Sequence, residues 1–125
     1  MEQTTQLGQW ARETVDALRG GVARAYQAFC EKPTSAKRVH ALRKALARLK
    51  AALEDVSALL PGAPALYDET KRLHKRAGKV RDADVMIAKL RELGSEEVNP
   101  LCKTLRKRRE TARSKLEKAL KQTNL

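Results

Sequence analysis

Apolar residues recur every three or four positions along most of the chain, which is the spacing of helices rather than the alternation of strands. The clearest example is Val39–Leu60, with the sequence "VHALRKALARLKAALEDVSALL". In a helical projection, its large apolar side chains fall in one stripe: Leu42, Leu46, Leu49, Leu53, Val56 and Leu60. This stripe predicts an amphipathic helix that buries one face against a core.

Helix-breaking residues at 31–35, 61–64 and 94–100 divide the chain into four segments of helical periodicity. The first three are Thr4–Phe29, Ala36–Leu60 and Pro64–Leu93, and the fourth ends near Leu120. Thr34 or Ser35 is the expected N-cap of the second helix. The fourth helix starts after Ser95, or at Asn99 as an N-cap followed by proline. Four long helices joined by short loops predict an all-α fold, an antiparallel up-down-up-down four-helix bundle.

The remaining segments also carry apolar stripes. The first stripe contains Leu7, Leu18, Val22, Ala25 and Phe29; the third segment has Leu66, Leu73, Ala77 and Val80; the fourth has Leu101, Leu105, Ala112, Leu116 and Ala119. Arg108 falls inside the fourth stripe and Arg109 lies at its edge. A core-facing arginine either meets an anion in a wet groove or extends past its neighbours to solvent.

Composition is consistent with one helical domain spanning residues 1–125, since only 3% of the residues are aromatic and 34% are charged. Cys30 and Cys102 have no zinc or redox spacing, which favours reduced thiols in a cytoplasmic protein. The N-terminus lacks a signal-peptide pattern. No apolar run reaches the length of a membrane span, so membrane insertion is not expected.

The formal net charge of +12 is concentrated in blocks and favours a polyanionic partner. Residues 36–50 carry six basic and no acidic residues, whereas residues 51–69 carry four acidic and no basic ones. Further basic blocks occupy residues 70–81 and 103–121. Each of the second, third and fourth predicted helices therefore contributes one positive block.

The basic residues of the second segment share the helix face opposite the leucines: His40, Arg43, Lys44 and Arg48. A solvated surface is the ordinary explanation for one isolated block, but such surfaces usually mix both signs of charge. In the third segment Lys71, Lys75 and Lys79 form a row beside His74 and Gly78. Asp82 and Asp84 follow, and pairing with basic side chains is favoured for them over catalysis.

Two stretches resemble the motifs of the CHAD domain family, the conserved histidine α-helical domains. The first is "VHALRKALARLKAAL", in which His40, Arg43, Arg48 and Leu49 match the family pattern and Lys50 replaces an arginine. The second is "AGKVRDADV" at 77–85, with alanine in place of the first leucine. The resemblance covers roughly residues 5–120, including a final basic helix.

The resemblance implies that the protein binds inorganic polyphosphate through a basic groove and associates with polyphosphate granules. No catalytic residue, metal or cofactor is assigned, since two histidines without nearby cysteines or suitably arranged carboxylates are a weak metal site. The candidate polyphosphate ligands are basic residues of three helices: His40, Arg43, Lys44, Arg48, Lys50, Lys71, Arg72, His74, Lys75, Lys79, Arg81, Arg108 and Arg109. A full CHAD domain has two four-helix halves and this chain has one, so two copies are expected to pair as a homodimer.

Three other functions remain open at this stage. Nonspecific nucleic-acid binding suits the charge, although no aromatic residue lies within a basic block as a stacking platform would require. An enzyme acting on phosphoanhydrides needs grouped carboxylates or an activated nucleophile, which the motifs do not supply. A purely structural or partner-binding bundle leaves the segregated charge unexplained.

Overall fold

The computed structural model describes residues 2–94 and 96–123, with side chains for residues 6–94, 96 and 98–123. The helices are α1 (Glu2–Glu31), α2 (Ala36–Val56), α3 (Ala63–Leu93) and α4 (Asn99–Gln122), with a 3-10 turn at Glu96–Val98 before α4. Consecutive helices pack against one another. The described residues include no strand. The predicted all-α four-helix bundle is confirmed.

The helix boundaries follow local sequence signals. Ser35 caps α2, where its Oγ accepts a hydrogen bond from the backbone N–H of Arg38 at 3.3 Å. Gly62 and Gly94 flank α3 with φ of 86° and 63°, a left-handed conformation that glycine adopts without strain. The backbone N–H of Gly94 donates to the carbonyl of Arg91 and closes the last turn of α3.

The sequence predicted that the fourth helix starts either after Ser95 or at Asn99, and helical structure is present from both points. Glu96–Val98 form the 3-10 turn, and α4 then begins at Asn99 with Pro100 in its first turn. Val98 occupies the cap position, and no side chain donates or accepts a capping hydrogen bond there. Asn99 is therefore a helical residue and not the predicted N-cap, while Ser95 lies outside the described residues.

The core confirms the leucine stripe of α2. Its buried residues are Val39, Leu42, Leu46, Leu49, Leu53 and Val56. The other helices cover them with side chains that include Val15, Val22, Phe29, Leu73, Ala77, Val80 and Leu116. Burial of this apolar surface is the main force that holds the helices together.

Leu7 does not join the core as its stripe predicts, and it is 52% exposed. Val15 and Leu53 line the same cavity, which places the two side chains at one level of the bundle. Leu7 lies eight residues before Val15, about 12 Å along α1. Only three residues of α2 remain beyond Leu53. The first turns of α1 therefore extend past the end of α2.

The buried face of α4 is rotated by about one residue from the predicted stripe. Cys102, Arg109, Leu116 and Leu120 are buried, whereas Leu101 and Arg108 are exposed. The prediction placed Arg108 within the core-facing stripe and Arg109 at its edge. The structure reverses the two, since Arg109 is buried and Arg108 is exposed. The cause is an ion pair that draws Arg109 inward.

Candidate functional site

α2 and α3 pack side by side and bring the two motif segments together. Gly78 of α3 lies directly beneath Arg43 of α2, because a Cβ at position 78 would be 3.6 Å from Arg43 Nε. A side chain larger than hydrogen would therefore contact the Arg43 side chain. That distance is an ordinary van der Waals contact, so the two motifs meet closely here and an alanine at position 78 would also fit.

Both histidines lie near Arg43 on the surface that α2 and α3 form together. Burial lowers the pKa of His40, and the positive charges of Arg81, Lys44 and Arg43 lower it further. Burial also lowers the pKa of His74, with additional contributions from Arg43 and Lys50. The charge of Arg43 thus acts on both imidazoles.

These electrostatic interactions define one group of side chains, the α2–α3 cluster: His40, Arg43, Lys44, Lys50, His74 and Arg81. Within the described part of the chain, no carboxylate forms an ion pair with any of them. Two of their polar atoms, His40 Nδ1 and Arg43 Nε, are buried without a hydrogen-bond partner. Unpaired buried polar atoms and gathered like charges both raise the free energy of the folded state. An anion bound to this cluster would relieve both.

The other candidate residues of α2 and α3 are not drawn into this cluster. Arg48, Lys71, Arg72 and Lys75 are exposed, without a described ion pair. Lys79 lies on the opposite side of α3, where it lines a second groove with Arg108 of α4. The sequence grouped all these cations as one surface. The structure places some in the α2–α3 cluster, two beside the second groove, and four on the exposed surface outside both.

Arg109 has a different environment from the rest of the candidates. Its Nε donates to Asp84 Oδ1 at 2.5 Å, and its Nη2 donates to Asp84 Oδ2 at 3.4 Å and to the Pro33 carbonyl at 3.1 Å. The Arg109 and Asp84 side chains are only 10% and 8% exposed. These contacts join α4, α3 and the α1–α2 loop, and they engage Arg109 Nε and Nη2 inside the protein.

The pairing expected for the carboxylates of the second motif holds for Asp84, but its partner comes from α4 and not from the adjacent basic run. Asp82 is exposed. Sequence reasoning also passed over Arg76, which is half-buried with an unpaired Nε. Arg76 lies three residues before Lys79, within the basic block at residues 70–81, and this position could have identified it as a candidate.

Two broader searches of the described residues give negative results. None of their helices has an apolar stretch long enough to cross a membrane. They also contain no group of three His, Cys, Asp or Glu side chains arranged to hold a metal ion.

Comparison with known proteins identifies the family. Neither the curated proteins nor the solved structures contain a significant match. The family model of the CHAD domain, in contrast, matches residues 4–124. The match includes both helices of the α2–α3 cluster and the Asp84–Arg109 ion pair. Since it spans nearly the whole sequence of 125 residues, the chain belongs to the CHAD domain family.

Proposed function

We propose that this protein binds inorganic polyphosphate in the groove between α2 and α3. CHAD domains are associated in general with polyphosphate binding or metabolism. The observation that carries the proposal is the α2–α3 cluster, which gathers cations and histidines without a paired carboxylate and leaves two buried polar atoms without partners. Polyphosphate is a chain of anionic groups without bases, so such a groove supplies the interactions that it requires.

Three cations of the cluster have defined roles in this proposal. Arg43 gives planar paired donors to phosphate oxygens at the centre of the groove. Lys50, near His74, and Arg81, near His40, hold successive phosphates on either side. From His40 to Lys50 the helix rises about 15 Å, enough for several phosphate groups. The proposal assigns no catalytic step, since Asp84 is engaged by Arg109 and is not available to hold a catalytic metal.

The test of this function is a titration with polyphosphates of several lengths, in competition with duplex DNA. We expect polyphosphate affinity to fall steeply with salt, because each phosphate contact releases counterions. At fixed ionic strength, polyphosphate should displace DNA, while an equal concentration of phosphate charge on DNA should not displace polyphosphate. Equal competition in both directions would assign the groove to nonspecific nucleic-acid binding instead.

The same samples test the oligomeric state. We propose that two copies pair about a two-fold axis, since the family resemblance implies a full domain of two four-helix halves. Light scattering should then give the mass of a dimer, about twice the 14.0 kDa of one chain. A monomer that binds long polyphosphate with full affinity would contradict the pairing, as would a requirement for a separate protein.

Polyphosphate affinity should increase as the pH falls through the range near 6.5, the ordinary pKa of histidine. In the free protein, burial and neighbouring cations hold the pKa of both histidines below this value. A bound polyanion offsets those cations and raises both pKa values, so the complex holds more protons than the free protein. Calorimetry across pH, with long chains whose internal phosphates stay ionised, measures the effect. The His40→Gln/His74→Gln double variant should bind with a flatter pH profile; a pH-independent affinity in the native protein would contradict the linkage.

A further inference from the structure

A second groove runs between α3 and α4 and has a volume of about 630 Å³. Its lining includes apolar side chains from both helices: Ala83, Met86, Leu105 and Ala112. Four cations also line it: Lys79, Lys107, Arg108 and Lys115. Asp82 is its one acidic lining residue among those described. We refer to it as the α3–α4 groove.

This groove is separate from the α2–α3 cluster. The α3 residues of the cluster and the α3 residues of the groove lie on different sides of the helix, since no residue of the cluster lines the groove. It also differs in chemistry. Met86 is 49% exposed within the groove, and the small side chains of Ala83 and Ala112 leave room for a close approach. A polyphosphate chain has no apolar groups that could pack against the apolar floor of this groove.

We propose that the α3–α4 groove is a docking site for an acidic amphipathic helix of a partner protein. Two adjacent helices form a groove into which a third helix can pack. The lining residues of α4 run from Thr104 to Lys115, about 16 Å or three helical turns. Apolar side chains spaced at i, i+3/i+4 and i+7 on the partner would contact the floor, and its acidic flanks would meet the cations.

Charge and shape select this occupant over two others. A second copy that met this groove across a two-fold axis would place its own four cations against these four. A small apolar ligand would stay largely in water, because Thr104, Lys107, Thr111 and Lys115 are exposed along the groove. Binding pockets for small molecules usually bury most of the ligand surface. Flexible Met86 suits the packing of a helix face.

The test uses a fluorescent helical peptide of about five turns, with leucines at i, i+3/i+4 and i+7 and glutamates beside them. A scrambled peptide of equal composition is the control. We expect Met86→Glu and Arg108→Glu each to weaken peptide binding by about tenfold or more. Leu101→Glu and Lys118→Glu are matched controls, exposed on α4 and outside the groove lining. They should change peptide affinity by less than about threefold.

Circular dichroism confirms that each variant is folded. Absent binding of the helical peptide, equal binding of the scrambled peptide, or equal losses from all four substitutions would each overturn the proposal. Self-association that Met86→Glu abolishes would do so as well, by assigning the groove to a second copy. Met86→Glu should leave polyphosphate affinity unchanged within about threefold. The docking site and the polyphosphate site can therefore fail independently.

Discussion

Replacing Arg43 with glutamate should weaken polyphosphate binding by roughly 100-fold near physiological salt. Each charge-assisted hydrogen bond from a guanidinium contributes about 1.5–3 kcal/mol, and the new carboxylate repels the phosphates as well. Isothermal titration calorimetry with long-chain polyphosphate measures the change. The effect is expected to be large because Arg43 acts on both histidines and lies against α3 at Gly78.

The same variant should be at least as stable as the native protein. A carboxylate at position 43 joins a cluster whose other charged members are the cations Lys44, Lys50 and Arg81, and so replaces repulsion with attraction. Weaker binding with an undiminished free energy of unfolding separates a functional role from a structural one. Arg24→Glu is the matched control, since Arg24 is exposed on α1 and the change in net charge is identical. If Arg24→Glu weakened binding as much as Arg43→Glu, binding would depend on net charge alone and not on the cluster.

Replacing Asp84 with alanine should lower the free energy of unfolding by about 3–5 kcal/mol, because it leaves the buried Arg109 guanidinium without its counter-ion. This is a large fraction of the 5–15 kcal/mol that stabilises a typical domain. Urea denaturation followed by circular dichroism measures the loss. Asp82→Ala is the matched control two residues away; its side chain is exposed, so we expect a change within about 0.5 kcal/mol.

A double variant distinguishes the loss of the ion pair from a loss of packing. Asp84→Leu/Arg109→Met replaces both charges with apolar side chains and should recover much of the stability that Asp84→Ala loses. Additive destabilisation by the two substitutions would contradict a coupled pair. Polyphosphate affinity of the folded double variant should be close to native, since the donors of Arg109 already bind Asp84 and Pro33.

The sequence did not predict which of Arg108 and Arg109 is buried. The apolar residues of α4 fit two helical faces about one residue apart, and a projection places Arg108 nearer the leucines. Arg109 is buried because Asp84 and the Pro33 carbonyl lie where its guanidinium can reach them. Pro33 is 76 positions away in the sequence, so no local pattern in α4 records the contact.

For Gly78 and Arg43, in contrast, the sequence was enough to predict where they lie. Both belong to motifs that the sequence identified, on helices whose apolar stripes already fixed which faces were buried. The basic residues opposite those stripes were therefore expected at the surface, and the pairing of α2 with α3 follows from a short antiparallel connection. What the motifs did not provide was the division of the candidates, in which Lys79 and Arg108 line another groove and Arg109 enters the core.

The sequence by itself determined four helices, their approximate ends, the leucine face of α2 and the concentration of cations on three helices. These properties depend on residues within a few turns of each other, so periodicity and local breakers reveal them. Only the tertiary structure decided which cations share a groove, which carboxylate pairs with Arg109, and where apolar surface stays exposed. Those outcomes depend on the rotation and offset of packed helices, which arise from contacts between residues far apart in the chain.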